Sequence, residues 1–274
     1  MAKNAVVPVK DEKALVAQAA MGLMEDAAGM GLNFEQADLA IPFVRVAQKL
    51  SPTVNRRDAK YIEGLEVGDL YNTVTLEYWK GDEGVLFLPC HFQRSYIEWR
   101  PRPEGGLVRD YGSDRDMALA GTIKNEKGKD IKNDSKNEVI TSALYHGMTI
   151  DPATGIATEV ALSLSSTQLK KARDLNTKIQ QFQLQNPASG KWFTPPMFAR
   201  VWRITTLLEI KDQNDWMGVK FTPEALTVAM AGGEELFLRA ARFHELVRGG
   251  QVRTEPLDDG LGSFDESKDT DHIL

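Results

Sequence analysis

Apolar positions change period along this chain, and the changes mark out a β-rich body followed by helices. From Leu70 the residues Tyr71, Thr73, Val74, Thr75 and Tyr78 are strand formers, because β-branched and aromatic side chains suit a pleated, half-buried surface. A turn at Lys80-Gly81-Asp82-Glu83-Gly84 leads into apolar positions at 85–88 and again at 92–99, predicting a hairpin bent at Pro89. A second hairpin, 140–150 with 155–164, is predicted around Asp151-Pro152-Ala153-Thr154-Gly155, where Pro and Gly occupy favourable turn positions. The period then becomes helical. Ser165, Ser166 and Thr167 offer an N-cap, and Leu169, Ala172, Leu175, Ile179 and Phe182 recur at helical spacing over 168–185. A strand at 197–210 pairs with 216–221, and a helical end follows. There Thr222 caps, Pro223 takes the first turn, and Leu236, Ala240, Phe243 and Val247 line one face of 234–248 before Gly249-Gly250 stops it.

These elements imply a mainly β chain with helical additions (α+β). The expected fold is an OB-like small β-barrel with an inserted helix, a C-terminal helix and a disordered acidic tail. The organisation expected is a flexible N-terminal arm at 1–32, a binding domain at 33–221 containing a long polar loop at 101–138, a helical segment at 222–253, and the tail at 254–274.

Charge sharpens this picture. Of 274 residues carrying a net charge of −6, the last 21 hold the whole excess: Glu255, Asp258, Asp259, Asp265, Glu266, Asp269 and Asp271 against Lys268. The body is electroneutral. A segment so acidic and so poor in apolar residues cannot bury enough surface to offset its ordering entropy. Such tails usually serve interactions, and one attached to a protein with a cationic groove would mimic nucleic acid. A merely solubilising tail is the plainer alternative. A single cysteine, Cys90, excludes an internal disulfide, fits a reducing cytoplasm, and sits in an apolar run as a small buried residue. No run of about 18 apolar residues exists to span a membrane, and the first 30 residues lack the uninterrupted apolar stretch of a secretory signal.

The chemistry available is that of binding. Lys170, Lys171, Arg173, Lys178, Lys191, Arg200 and Arg203 alternate with Phe182, Trp192, Phe193, Phe198 and Trp202 against the lone acid Asp174. Sequence-tolerant binding of a single strand calls for that mixture: cations for phosphates, ring faces for bases at about 1–3 kcal/mol each. On a strand, Phe198, Arg200 and Trp202 would share one face, with Met197, Ala199 and Val201 on the other. Alternatively the rings are the core face and Arg200 snorkels outward. Arg94, Tyr96, Trp99 and Arg100 repeat the pattern, with Phe92 heading it. No phosphate loop, dinucleotide fingerprint or zinc-ligand spacing is present, and His91, His146, His244 and His272 are scattered. No cofactor, metal or catalytic set is expected, and His146 reads as a satisfied structural histidine.

Several blocks also resemble a known family. They are Ile41-Pro42-Phe43, Ala47-Gln48-Lys49-Leu50-Ser51-Pro52, Asn72-Thr73-Val74-Thr75, Pro89-Cys90 with Tyr96 and Glu98-Trp99, and Leu164 with Lys170-Lys171-Ala172-Arg173. Together they resemble the single-stranded-DNA-binding replication proteins of tailed bacteriophages. The resemblance implies a barrel that coats single-stranded DNA in the host cytoplasm during replication and recombination, and a homodimer. It also implies a tail, carried here by Asp258, Asp259, Asp265, Glu266, Asp269, Asp271, Ile273 and Leu274, that recruits a polymerase, helicase or primase. The chain departs from the family in ending on Ile273-Leu274 instead of an aromatic residue. Two other classes stay open: a phage structural or scaffolding protein, and a metal-dependent nuclease.

Overall fold

The computed structural model describes residues 20–32, 41–101, 105–211, 214–252 and 254. The chain divides into two units, Met1–Leu39 and Ala40–Leu274. In the first, residues 20–26 are helical. Residues 1–19 of the expected arm, and all of the expected tail beyond Thr254, lie outside the described residues.

The second unit begins with three short strands, β1 (Val44–Val46), β2 (Leu70–Asn72) and β3 (Tyr78–Trp79), in a small antiparallel sheet. The main sheet is built on two long strands, β4 (Val85–Trp99) and β8 (Glu138–Ile150). Between them come β5 (Leu107–Asp110), a short helix α1 (Arg115–Leu119), β6 (Thr122–Lys124) and β7 (Asp130–Lys132). After β8 follow β9 (Ala157–Ser165), α2 (Leu169–Gln181), and a two-stranded hairpin of β10 (Leu184–Gln185) and β11 (Trp192–Phe193). The chain then forms β12 (Arg200–Lys211), β13 (Asn214–Leu226) and α3 (Gly233–Arg248). Eight strands pair in the order β13-β12-β4-β8-β7-β6, with β5 alongside β4 and β9 alongside β8.

This sheet is antiparallel and curls into a half-barrel, and its ends are bridged by the chain around β1. Phe43 makes a parallel bridge to Ala161 of β9. Gln48 reaches β13, donating from Nε2 to the Met217 carbonyl at 2.8 Å and accepting from the Met217 N–H at 2.9 Å. The bend in the long ribbon falls where Pro89 has no N–H to give and the register slips between Pro89 and His91. Opposite Pro89 stands Gly147, where a Cβ would lie 2.4 Å from the Leu88 carbonyl oxygen.

Both faces of the sheet are covered, and this decides most side-chain orientations. On one face Leu86, Leu88, Leu144, Met148 and Val201 pack with Leu236, Ala240, Phe243 and Val247 of α3. On the other, Val85, Phe87, Tyr145, Leu162, Trp202, Ile204 and Phe221 pack with Ala172 and Leu175 of α2. The Tyr145 hydroxyl is fixed there, donating to the Ala172 carbonyl at 3.0 Å or meeting Asn176 Oδ1 at 2.8 Å.

Several expectations are corrected. The stretch 70–79 is not the hairpin mate of 85–99: it joins the small sheet, and β4 runs as one strand through its bulge to pair with β8. The region 101–138 is no structureless loop, since it holds β5, α1 and the β6–β7 hairpin. Its charges are largely neutralised locally, Lys124 with Asp130 at 2.6 Å and Lys129 with Glu138 at 3.1 Å. Thr222 and Pro223 belong to β13 and do not cap a helix; α3 begins at Gly233 after Gly232 in the left-handed region. At the start of α2, no Ser or Thr side chain caps the helix, and a single 3-10 turn at Ser166–Gln168 precedes it instead. The hairpin of β8 and β9 and the helical stretch 234–248 form as the pattern predicts.

Candidate functional site

A cleft of about 270 Å³ opens on the curled sheet, between β4, β8 and β9 on one side and the β1–β2 region on the other. Alternate residues of the sheet make its floor: Ser95, Ile97 and Trp99 from β4, Ile140, Ser142 and Leu144 from β8, Ser163 and Ser165 from β9. Ile97 stands directly opposite Ile140, and Ser142 stands between Ser95 and Ser165. Phe43, Arg45, Gln48 and Tyr71 line the opposing wall, and Leu107 and Asp110 of β5 close one side. Thr254, the described residue that leads into the acidic segment, also lines the cleft. Among the lining residues the charges are Arg45 and Asp110, so the cleft is close to neutral.

The residues expected to bind are not gathered in one place. Tyr96 packs beneath α1 with Ala118 and Val139. Phe198 lies in a buried 3-10 turn, Met197–Ala199, and Trp202 in the core against α2. The expected exposed row of Phe198, Arg200 and Trp202 is therefore wrong. The strand starts only at Arg200, and because helices cover both faces of the sheet, Val201 and Trp202 are both buried. The alternative in which the rings are core holds for Tyr96, Phe198 and Trp202. Trp99 is also largely buried, but its remaining surface faces the cleft.

The cations divide similarly. Lys171 pairs with Glu209 at 2.7 Å, and that carboxylate also accepts from Trp216 Nε1 at 2.9 Å. Arg203 donates to Glu224 at 2.7 Å and to the Glu83 carbonyl at 3.2 Å. The guanidinium of Arg200 sits 3.8 Å from the centroid of the Phe182 ring. Arg94, Arg100, Lys170, Arg173, Lys178 and Lys191 are exposed. Beside Lys191, at the base of the β10–β11 hairpin, Trp192 is 64% exposed and Phe193 stands next to it, a pair of solvent-facing rings. The tail positions Asp258, Asp259, Asp265, Glu266, Asp269, Asp271, Ile273 and Leu274 lie outside the described residues.

One cluster escaped the sequence pattern. His91 and His244, 153 residues apart, meet where α3 crosses the β4 bulge, their Nδ1 atoms 3.4 Å apart. His244 Nδ1 also lies 2.9 Å from the Cys90 carbonyl oxygen, which can only accept, so His244 carries its proton on Nδ1. His146 lies behind His91, with ring centroids 6.2 Å apart, and its Nδ1 is buried without a hydrogen-bond partner among the described residues. It is not the satisfied histidine expected. Burial holds its pKa down to about 4. Burial first, then His244 and Arg248, lower that of His91. Burial also raises the Cys90 thiol well above its usual range, which suits an inert core residue. Among the described residues no group of three or more His, Cys, Asp or Glu is placed to hold a metal, and no helix is long and apolar enough to cross a membrane.

Fold and cleft together define a mainly β protein with a curled antiparallel sheet and few helices. A family model described as Pam3 phage gp34-like protein matches residues 10–253, and the chain belongs to that bacteriophage family. No curated protein and no solved structure matches it.

Proposed function

We propose that this protein binds single-stranded DNA in its sheet cleft, as a non-enzymatic component of phage DNA replication or recombination. We read the order β4, β8, β9, α2, β12 and β13 as an OB-like barrel path, a reading supported by the pairing of β4 to both β8 and β12 and by the helix before β12. Such barrels take oligonucleotides on the face of their second and third strands, under the loop that joins strands one and two. The observation that carries the reading is the position of the cleft. It lies on β8 and β9, is flanked by β5 from the long β4–β8 connection, and has Thr254 in its lining.

In this reading the exposed Lys170, Arg173, Lys178 and Lys191 supply the salt-dependent attraction to phosphates, and Trp192 adds a stacking surface. Lys171, Arg203 and the buried rings serve the fold. The acidic tail, which follows Thr254 in the cleft lining, competes with the strand for the exposed cations and gives them up when DNA arrives. Once displaced, it is free to recruit a polymerase, helicase or primase, and two copies work as a homodimer.

The test is a titration of fluorescein-labelled oligo-dT by anisotropy at low and moderate salt, with the full chain and with residues 255–274 deleted. Binding that weakens with salt, and tightens on deletion, is the expected result. No binding by either protein would refute the proposal, and equal affinity of the two would refute the role of the tail.

A further inference from the structure

Three serines stand in line across the floor of the cleft. Ser95 of β4 is directly opposite Ser142 of β8, and Ser142 is directly opposite Ser165 of β9. Serine is a weak strand former, and a row of them across three neighbouring strands gives up packing that β-branched residues would supply. Moreover, Ser95 and Ser142 are each only 5% exposed. Their hydroxyls face the cleft and make no hydrogen bond to the described residues, and Ser165 makes no capping bond to the turn that follows it. Neither the Ser95 nor the Ser142 hydroxyl is among the buried atoms that lack a partner, so both are reached by water in the cleft, and hydroxyls held open there are positioned to exchange that water for the hydrogen-bonding edge of a ligand.

The surroundings restrict what that ligand is. Ile97, Ile140, Leu144 and Trp99 frame the serines with apolar walls, and the charges in the lining, Arg45 and Asp110, balance. Nothing there complements a chain of phosphates. The exposed cations of α2 and the β10–β11 hairpin do not line the cleft. A flat, uncharged group with hydrogen-bonding edges and an apolar face fits this lining: a nucleobase. A hydroxyl both donates and accepts, so a serine row accommodates the edge of any base and imposes little sequence preference.

Resting on the single-strand reading above, we infer that the Ser95–Ser142–Ser165 row receives base edges, while the sugar-phosphate chain runs outside the cleft along the exposed cations. Affinity therefore has two separable parts. One comes from bases and is insensitive to salt; the other comes from phosphates and is screened.

The experiment compares oligo-dT with an abasic deoxyribose-phosphate chain of equal length, each followed by anisotropy over a salt series. Full-length protein is tested beside a Ser95→Ala/Ser142→Ala double variant. The unaltered protein should bind oligo-dT about tenfold or more tighter than the abasic chain, in line with the contribution of even a single well-placed base. Made in a Trp192→Ala background, the double variant should lose most of the preference that the Trp192→Ala protein keeps, yet retain affinity for the abasic chain and its salt slope. Equal binding of both polymers by the unaltered protein would overturn the inference without any variant being needed, as would a double variant that keeps the preference. Failure of the unaltered protein to bind either polymer would instead overturn the single-strand reading itself.

Discussion

Lowering the pH from 7 to 5 should cost the folded protein stability through His146. The imidazole is 2% exposed, its Nδ1 has no partner among the described residues, and burial holds its pKa down to about 4 against an ordinary 6.5. A histidine depressed in this way is neutral in the native state and takes up a proton when the chain unfolds. Between the two values the unfolded state binds more protons, so stability falls as pH falls through 6.5 toward 4. Below about 4 both states are protonated and the loss levels off. At about 1.4 kcal/mol per pH unit the full loss is about 3 kcal/mol, and the part lost between pH 7 and 5 is about 2 kcal/mol. His91 adds to the slope with the same sign, because burial and the neighbouring His244 and Arg248 depress it too. The assay is urea unfolding at pH 7 and pH 5 for the protein and for His146→Met, which removes the titrating group and keeps a bulky apolar side chain in the same layer as Met148. Carboxylate contributions are common to both proteins and cancel in the comparison. The drop in stability should be smaller in the variant by about 2 kcal/mol. Equal drops would refute the assignment of a buried, unpartnered imidazole.

Two tryptophans separate core from surface. Trp202→Ala should destabilise by about 3–5 kcal/mol in chemical denaturation, the cost of truncating a buried ring. Trp192→Ala should leave stability within about 0.5 kcal/mol and, if the hairpin stacks on bases, weaken oligo-dT binding by about 1–3 kcal/mol in anisotropy titrations. Gln48→Ala removes both hydrogen bonds to Met217 on the outer edge of β13. It should cost about 1–3 kcal/mol, speed amide exchange at Met217, and increase aggregation as a sheet edge is uncovered.

Local pattern carried the elements with strong period and clear punctuation. The β8–β9 hairpin was legible because Asp151, Pro152 and Gly155 fix a turn between two apolar runs. The α2 and α3 cores were legible because Ala172 and Leu175, and Leu236, Ala240, Phe243 and Val247, recur at helical spacing. Elsewhere the same signals misled. Thr222-Pro223 has the chemistry of a helix start, yet β13 continues through it, because the ladder to Arg203 and Trp202 outweighs a local preference. The polar 101–138 stretch has too little apolar character to announce strands, and it gains them by pairing along the C-terminal half of β4 and the start of β8.

The candidate site was the least legible part. The charge partition of the tail is visible in composition alone, and so is the absence of phosphate-loop and zinc spacings. Alternation, however, says which side chains share a face and not which face meets solvent. That choice fell to the helices: α2 and α3 cover opposite sides of the sheet and turn Trp202 and Phe198 into core, and α1 covers Tyr96. The cleft, with its serine row, and the meeting of His91, His146 and His244 depend on register between strands and on a helix crossing a bulge. Their distances are set by pairings tens to more than a hundred residues apart. The amino-acid order by itself determined composition, local period and the strongest turns. Tertiary packing decided exposure, because burial depends on what lies across the sheet, and no local stretch encodes its opposite neighbour.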